Sequence, residues 1–265
     1  MTFPAATDAQ LQTYLGRIDF ASGLRTELAT LNALHLAHAT HIPFENIDVL
    51  LRRPIRLDLD SLHAKLVSDR RGGYCFEHNL LFAAVLEKIG FVVTRLAARV
   101  RYGSTAPRPR THMLLMVDLE GARWLVDVGF GAEGLLLPVP LGAQRCSQFA
   151  WTYRVVEQQG TLMLQSLRAA GWTDLYTFTL EPQLLPDYAM ANHFVSTHPD
   201  SPFVRMLTAQ LPTPAVRYIL RGRELIEDRG AEVVTSTIAG EADLRAILAD
   251  RFGLNLPSDW TVPLS

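Results

Sequence analysis

The 265-residue chain has little of several features that would assign it to a class at once. Two cysteines, Cys75 and Cys146, are too few for a disulfide scaffold and are typical of a reducing compartment. The formal net charge is only −2, which does not favour nucleic acid or an acidic membrane as a partner. The sequence contains no run of about 18 apolar residues that would span a membrane, and its first residues, Asp8 among them, do not resemble a signal peptide. We therefore expect a cytoplasmic protein.

The hydrophobic pattern of the chain changes its period near residue 90. Before it, spacings of three and four predict helices at residues 8–18, 24–39, 60–69 and 75–89, with Asp8 as the first cap and Gly90 as the last stop. After it, alternation predicts strands at residues 95–102, 111–118, 124–130, 151–157, 161–167, 176–180, 217–220, 224–227 and 233–238. A last helix is predicted at 241–252. This segregated order predicts an α+β fold with an antiparallel barrel or sandwich.

Cys75 is the strongest candidate for chemistry. It follows Gly72 and Gly73 and begins a predicted helix, where unpaired N–H groups and the helix dipole favour a thiolate. We expect the two glycines to allow a close approach and unusual φ angles. A buried structural cysteine is the alternative.

A cysteine nucleophile needs a base, and the base needs a group that orients it. A two-residue turn at Glu120–Gly121 would place Leu119 opposite Ala122. The residue numbers of every opposed pair in the hairpin then add up to 241. In that register His112 and Asp127 are diagonal neighbours on one face of the hairpin, within reach of each other. A core histidine and a turn-capping aspartate remain the alternative.

Other polar residues have weaker patterns. Cys75 and His78 have a metal-like spacing, but zinc would need further paired ligands. The recurrence of histidine at positions 35, 38 and 41 does not bring the side chains together on a helix. Glu45 and Arg71 occur in apolar, loop-like segments and are expected to form an ion pair. No glycine-rich nucleotide-binding loop occurs.

Four segments of the sequence resemble the arylamine N-acetyltransferases, in order and in spacing: IPFENID at 42–48, RGGYCFEHN at 71–79, THMLLMV at 111–117 and VDVGFG at 126–131. The resemblance implies a helical domain at residues 1–90 and an antiparallel β-barrel at 91–185. It also implies a small α/β lid at 186–265, which resembles the family less distinctively, through residues 192–203. The implied core is a Cys-His-Asp triad of the papain and transglutaminase type.

The resemblance also implies the chemistry. Acetyl-CoA would acylate Cys75, with His112 as base and Asp127 as its orienting group. An arylamine, arylhydroxylamine or hydrazine would then take the acetyl group, with no permanently bound cofactor or metal.

The matching positions imply further roles. Glu45 and Arg71 would be a buried supporting pair. The positions implied for CoA are Ser104, Arg108, Arg110 and Thr111, in a loop whose arginines suit phosphates. The positions implied for the substrate pocket are Phe44, Val100, Phe130 and Phe203.

Three alternatives remain open on the sequence. An amide synthase that closes a macrolactam from a polyketide thioester would use the same triad. A transglutaminase-like cysteine hydrolase would act on peptides instead. A binding protein with an inert cysteine is disfavoured by the presence of all three triad residues.

Overall fold

The first part of the chain is helical, as its apolar period predicts. A computed structural model describes residues 3–104, 106–131 and 133–263. Its helices are α1 (Asp8–Arg17), α2 (Leu28–His41), α3 (Ile47–Leu50), α4 (Leu59–His63) and α5 (Cys75–Ile89). Helix α5 has the predicted bounds and ends at Gly90, which adopts a φ of 112°. The predicted helix at 60–69 is α4 followed by a π-helical turn, Ala64–Ser68.

Two helix beginnings differ from the prediction. Thr7, not Asp8, caps α1, because the Thr7 side chain accepts from the backbone N–H of Gln10 and the Gln10 side chain binds the N–H of Thr7. Helix α2 begins at Leu28 rather than near residue 24. The N–H of Leu28 donates to the carboxylate of Glu120 at 3.2 Å. Glu120 is 92 positions later in the sequence, so no local pattern indicates this helix start.

The central part of the chain forms one eight-stranded antiparallel sheet that curls into a nearly closed barrel. Its order is β5-β4-β3-β2-β9-β8-β7-β6. The strands are β2 (Val92–Val100), β3 (His112–Leu119), β4 (Ala122–Val126), β5 (Val139–Pro140), β6 (Cys146–Gln148), β7 (Trp151–Gln158), β8 (Thr161–Arg168) and β9 (Gly171–Phe178). The Gln148 side chain of the β6 edge binds the backbone of Leu136 and Leu137, just before the β5 edge, and so links the two edges.

The last part of the chain adds a helix and a second sheet. Helix α6 (Leu185–Thr197) was not predicted, because Pro186 looks like a breaker although proline fits a first helical turn. A second antiparallel sheet follows in the order β1-β10-β11-β12-β13, and helix α7 (Glu241–Phe252) ends at Gly253 as predicted. The strands are β1 (Phe44–Glu45), β10 (Thr208–Pro212), β11 (Arg217–Arg221), β12 (Glu224–Asp228) and β13 (Val233–Thr237).

This arrangement confirms the predicted α+β fold. Strand β1 belongs to the helical part of the chain, yet it pairs with β10 of the last part, Phe44 lying opposite Gln210. The domain boundaries at residues 90 and 185 stay predictions. Among the described residues, no helix combines the length and the apolar character that crossing a bilayer requires.

Buried apolar residues form three clusters, one under the helices, one inside the barrel and one between the second sheet and α7. In strand β2, Leu96 and Ala98 alternate with Arg95 and Ala97, a pattern that predicts a half-buried strand with Arg95 and Ala97 on the solvent side. Both are buried instead, because the outer face of the strand lies under neighbouring helical segments. The α5 helix and the β3–β4 hairpin share the first cluster, and this contact brings the candidate site together.

Candidate active site

The two glycines before Cys75 allow the chain to pass close to its neighbours. The Glu45 N–H donates to the Gly73 carbonyl oxygen at 2.7 Å, which ties the turn to β1. A Cβ at Gly72 would overlap the Pro43 carbonyl, and one at Gly73 would lie 2.6 Å from a Glu77 carboxylate oxygen. Neither glycine has a positive φ, so the expectation of unusual φ angles is wrong. The close approach alone requires glycine at both positions.

The β3–β4 hairpin has the predicted register. Leu119 lies opposite Ala122, and the turn residues Glu120 and Gly121 have φ angles of 54° and 76°, as a two-residue hairpin requires. The last ladder pair joins Leu115 to Val126, so His112 and Asp127 lie beyond the end of the ladder. Their side chains meet there, with His112 Nε2 2.7 Å from Asp127 Oδ2.

Cys75, His112 and Asp127 come together where α5 begins. The Cys75 thiol lies 3.7 Å from the Thr111 carbonyl oxygen and also interacts with the imidazole of His112. Because Asp127 engages Nε2, Nδ1 is the ring nitrogen left for the thiol. All three residues are buried, with Asp127 fully inaccessible to solvent.

Electrostatics favour a charged imidazole in this site. Burial by itself would favour the neutral ring, but the charge of Asp127, its hydrogen bond and Cys75 raise the pKa of His112 to about 10. Burial also opposes the charged form of Asp127, yet His112 and further hydrogen bonds hold the pKa of that carboxyl below its usual value. A buried imidazolium facing the thiol suits an ion pair with a thiolate.

The sequence did not indicate which residues bind Asp127, and Asn79 and Gly129 were not singled out there. Asn79 Nδ2 donates to Asp127 Oδ1 at 3.0 Å, and the Gly129 N–H donates to the same oxygen at 2.9 Å. The backbone N–H of Asp127 donates to His35 Nε2 at 3.3 Å. The available signal was spacing, since Asn79 is one helical turn after Cys75. A Cβ at Gly129 would lie 2.8 Å from the Cys75 Cα, which explains the glycine.

Five charged side chains form a network behind the turn that leads to Cys75. The expected ion pair is present, with Arg71 Nη2 2.6 Å from Glu45 Oε1. Lys65 Nζ lies 2.8 Å from Asp48 and 2.7 Å from Glu77. Glu77 Oε2 in turn accepts from the Tyr74 N–H at 3.0 Å. The network therefore holds both sides of the glycine turn.

Buried histidines fix the same turn from the opposite side. The Tyr14 hydroxyl lies 2.8 Å from His38 Nδ1, and His38 Nε2 lies 2.9 Å from His78 Nδ1. His78 Nε2 then reaches the carbonyl oxygens of Pro43 and Gly73. Because a carbonyl oxygen only accepts, His78 must carry its proton on Nε2, and His78 Nδ1 then accepts from a proton on His38 Nε2. His38 Nδ1 in turn accepts from the Tyr14 hydroxyl, so both rings are neutral with the proton on Nε2. Burial lowers the pKa of His78 to about 4, and burial also holds the pKa of His38 well below its ordinary value.

The positions predicted for the substrate pocket lie near the triad in two aromatic groups. The Phe130 ring is edge-on to His112 at 5.0 Å, and Tyr176, which sequence reasoning did not identify, lies 4.9 Å from the same imidazole. Val100 pairs with Tyr176 across β2 and β9. On the other side, Phe203 contacts Phe44 and also Tyr74, the residue before Cys75, at ring distances of 5.8 and 6.0 Å.

The positions predicted for CoA lie in the loop between β2 and β3, of which residue 105 is outside the described part of the chain. Arg108 is exposed, and its carbonyl accepts from Arg99. Arg110 pairs with Glu181 at 3.1 Å, and Ser104 caps a turn through the N–H of Ala106. Thr111, the last of these positions, directs its carbonyl oxygen at Cys75.

The chain is similar to known proteins over most of its length. The family profile of the N-acetyltransferases matches residues 27–261. An arylamine N-acetyltransferase of Mycolicibacterium smegmatis is 42% identical over 250 residues, covering 92% of this chain and 91% of the relative. The solved arylamine N-acetyltransferase of Salmonella typhimurium is 34% identical, with a TM-score of 0.90 over 96% of this chain and 94% of that one.

A second solved structure contains a ligand. It is the Mycobacterium marinum arylamine N-acetyltransferase in complex with CoA, with a TM-score of 0.87, 37% identity and 92% coverage of both chains. Identity at this level over nine-tenths of the chain goes well beyond a shared fold. The chain belongs to the arylamine N-acetyltransferase family of acyltransferases.

Proposed function

We propose that the protein transfers the acetyl group of acetyl-CoA through a thioester on Cys75 to an arylamine, an arylhydroxylamine or a hydrazine. The observation that carries the proposal is the buried alignment of Cys75, His112 and Asp127 at the start of α5. The family relationship and the CoA complex of a solved relative support the choice of donor and acceptor.

In the first half-reaction the Cys75 thiolate attacks the carbonyl carbon of the acetyl thioester. The first-turn N–H groups of α5 have no intrahelical acceptor and lie next to the nucleophile, where negative charge develops on the carbonyl oxygen. The bond to the CoA sulfur then breaks. The His112 imidazolium gives its proton to the departing thiolate, which leaves CoA as a thiol, acetyl-Cys75 and a neutral imidazole.

In the second half-reaction the acceptor amine attacks the acetyl-Cys75 carbonyl. Neutral His112 takes the proton that the nitrogen loses, and Cys75 leaves as the thiolate. The ion pair is thereby restored. Asp127 holds the ring so that Nδ1 faces the sulfur, and it stabilises the charged ring in both half-reactions.

The other predicted positions fit supporting roles in this scheme. Phe130 and Phe203 border the triad on its two sides, which suits the flat apolar ring of an arylamine. Arg108 and Arg110 lie in the loop that ends at Thr111, within reach of a donor whose acetyl group is at Cys75. Glu45 and Arg71 hold the turn before Cys75. The two unpaired cysteines are consistent with a cytoplasmic location.

Mass spectrometry after mixing with acetyl-CoA alone tests the covalent step. We expect one added acetyl group, on the peptide that contains Cys75, and its loss when an arylamine is added. Cys75→Ala should abolish labelling and turnover. Cys146→Ala is the matched control, because Cys146 is a half-buried residue of the β6 edge strand and should leave both intact.

The outcomes also separate the alternatives. Labelling on Cys146, or none, would overturn the thioester proposal. An acetyl-enzyme that reacts with water or with a peptide lysine, but not with arylamines or hydrazines, would indicate a transglutaminase-like cysteine hydrolase. Labelling only by a polyketide thioester would indicate the amide synthase.

A further inference from the structure

Helix α2 carries three histidines, at positions 35, 38 and 41, whose spacing does not direct them at one point. They differ in burial. His35 and His38 are fully buried, whereas His41 at the end of the helix is exposed. Both buried imidazoles contact the ring of Phe82 in α5, with ring centroids 6.0 and 5.1 Å apart. One helix therefore presents two fixed imidazoles to the core around the candidate active site.

The two imidazoles reach different parts of that site. His38 acts through His78 on the turn before the nucleophile. His35 contacts the triad itself, because its Nε2 accepts from the backbone N–H of Asp127 at 3.3 Å. Helix α2 therefore holds both the segment that leads to the nucleophile and the residue that supplies the triad carboxylate.

The backbone of Asp127 needs an acceptor at this point. The ladder between β3 and β4 ends at the pair of Leu115 and Val126, so Asp127 lies beyond its last rung. Asp127 is fully buried, and a buried N–H without an acceptor is costly. The carboxylate is bound separately, at the far end of the side chain. His35 supplies the acceptor at the backbone end.

An imidazole accepts only through a nitrogen that carries no proton, so this contact requires a neutral His35 with its proton on Nδ1. The surroundings maintain that state. Burial lowers the pKa of His35 to about 4, although the charge of Asp127 acts in the other direction. A charge on His38, one helical turn away, would oppose a charge on His35 as well. At neutral pH the ring is therefore an acceptor.

We infer that His35 is a positioning residue: by accepting from the Asp127 N–H, it fixes the carboxylate where it can hold the imidazolium of His112. The inference rests on the function proposed above. Without the acceptor, the Asp127 backbone would move toward another donor-accepting group or water, and its carboxylate would move with it. The His112 imidazolium would then be less well stabilised, and the thiolate of Cys75 would lose part of its ion-pair partner.

Alkylation of Cys75 by iodoacetamide, followed on the peptide that contains it, measures this effect without acetyl-CoA. His35→Leu removes the acceptor and keeps a buried apolar side chain. We expect its alkylation to slow by about tenfold at about pH 6, where the thiolate depends on the imidazolium. At about pH 9.5 a thiol ionises without such help, so the rate should stay within about twofold of the wild type. A general loosening of the fold would change both rates alike.

His35→Gln and His35→Asn make a matched pair that differs by one methylene group. The Gln side chain can place its oxygen where Nε2 lies, whereas the shorter Asn side chain does not reach the Asp127 N–H. At about pH 6 we expect His35→Gln to react within about threefold of the wild type and His35→Asn to be as slow as His35→Leu. His41→Leu, at the exposed histidine of the same helix, is the control and should react like the wild type. Thermal unfolding shows which variants fold, and the Gln and Asn pair decides if His35→Leu does not.

Three results would overturn the inference: wild-type rates near pH 6 in His35→Leu and His35→Asn, equal slowing of these variants at both pH values, or no difference between His35→Gln and His35→Asn. The proposed function fails by a different result. Wild-type protein that is alkylated rapidly near pH 6 but is not acetylated by acetyl-CoA would lack the proposed donor, while the alkylation rates of the variants would still decide the role of His35.

Discussion

Two buried ionic clusters in this molecule differ in what their charges can do. One is the pair His112–Asp127, with its nitrogen and oxygen 2.7 Å apart beside Cys75. The other lies between the barrel and the second sheet, where Arg217 of β11 is fully buried over the Trp151 ring and near Glu133. Arg168 of β8 joins Glu133 to Asp228 of β12 in the same cluster.

The difference lies in which proton can move. Arginine stays charged at any pH a protein tolerates, so the Arg217 cluster can only hold its neighbours in place. The imidazole of His112 can exchange a proton, and it faces a thiol. Burial of charge is common to both regions, and we therefore infer chemistry only where a titratable ring meets a nucleophile.

The largest expected effect is on the site pair. Asp127→Asn keeps the shape but removes the charge that orients and stabilises the imidazolium, so acylation of Cys75 should slow by about 10²–10⁴. The unfolding free energy should fall by about 1–3 kcal/mol, because His112 and Asn79 lose a buried partner. Pre-steady-state acylation of folded protein is the measurement.

Asp118→Asn is the matched control for that experiment. Asp118 is exposed on the same hairpin, opposite Arg123, and should acylate at the wild-type rate. Acylation of Asp127→Asn at a near-wild-type rate would mean that another group orients His112.

The second cluster should respond with stability alone. Arg217→Met leaves Glu133 without one of its buried partners and should lower the unfolding free energy by about 3–5 kcal/mol. Acylation by the protein that remains folded should stay within about twofold of wild type. Urea unfolding and single-turnover acylation measure the two quantities, and a large loss of acylation would abolish the distinction drawn between the clusters. Arg229→Met, at an exposed ion pair, should change neither.

The pH dependence of stability should separate the site histidine from the structural ones. The pKa of His78 is lowered to about 4. Between pH 6.5 and 4 the His78 imidazole therefore binds a proton in the unfolded chain but stays neutral in the folded chain. This group alone should remove on the order of 3 kcal/mol of stability between pH 6.5 and 4. The pKa of His112 is raised to about 10, so its stabilisation is full below pH 6.5 and is lost as the pH rises through 10.

Urea unfolding across this pH range tests both signs. His78→Gln should flatten the acid side of the stability profile, whereas His112→Gln should flatten the alkaline side. Equal changes on both sides in either variant would contradict the assignment.

A smaller effect is expected at Asn79. Asn79→Ala removes one hydrogen bond from Asp127, which keeps its contacts with His112 and Gly129, so acylation should slow by only about tenfold. Asn255→Ala, at an exposed position after α7, is the control. A loss as large as that of Asp127→Asn would show that Asn79, rather than the imidazole, sets the position of the carboxylate.

Local contacts account for most of what could be predicted. Helix α5, with Cys75 at its first position, has the predicted bounds because its apolar period and Gly90 are signals within one segment. The hairpin register follows from a two-residue turn, and it brings His112 to Asp127. Helix α6 was missed for two reasons: Pro186 looks like a breaker, and only Tyr188 and Val195 of its residues are buried, too few for a visible stripe.

The sequence by itself determined the elements, the nucleophile's place at a helix start and the diagonal pair on the hairpin, since each depends on neighbours a few residues apart. Only the tertiary structure decided what surrounds that pair. Asn79 binds Asp127 from 48 positions earlier in the sequence, and His35 binds it from 92 positions earlier. Strand β1 joins a sheet that is built from the last part of the chain. Such contacts depend on how separate elements pack, and no spacing along one element encodes them.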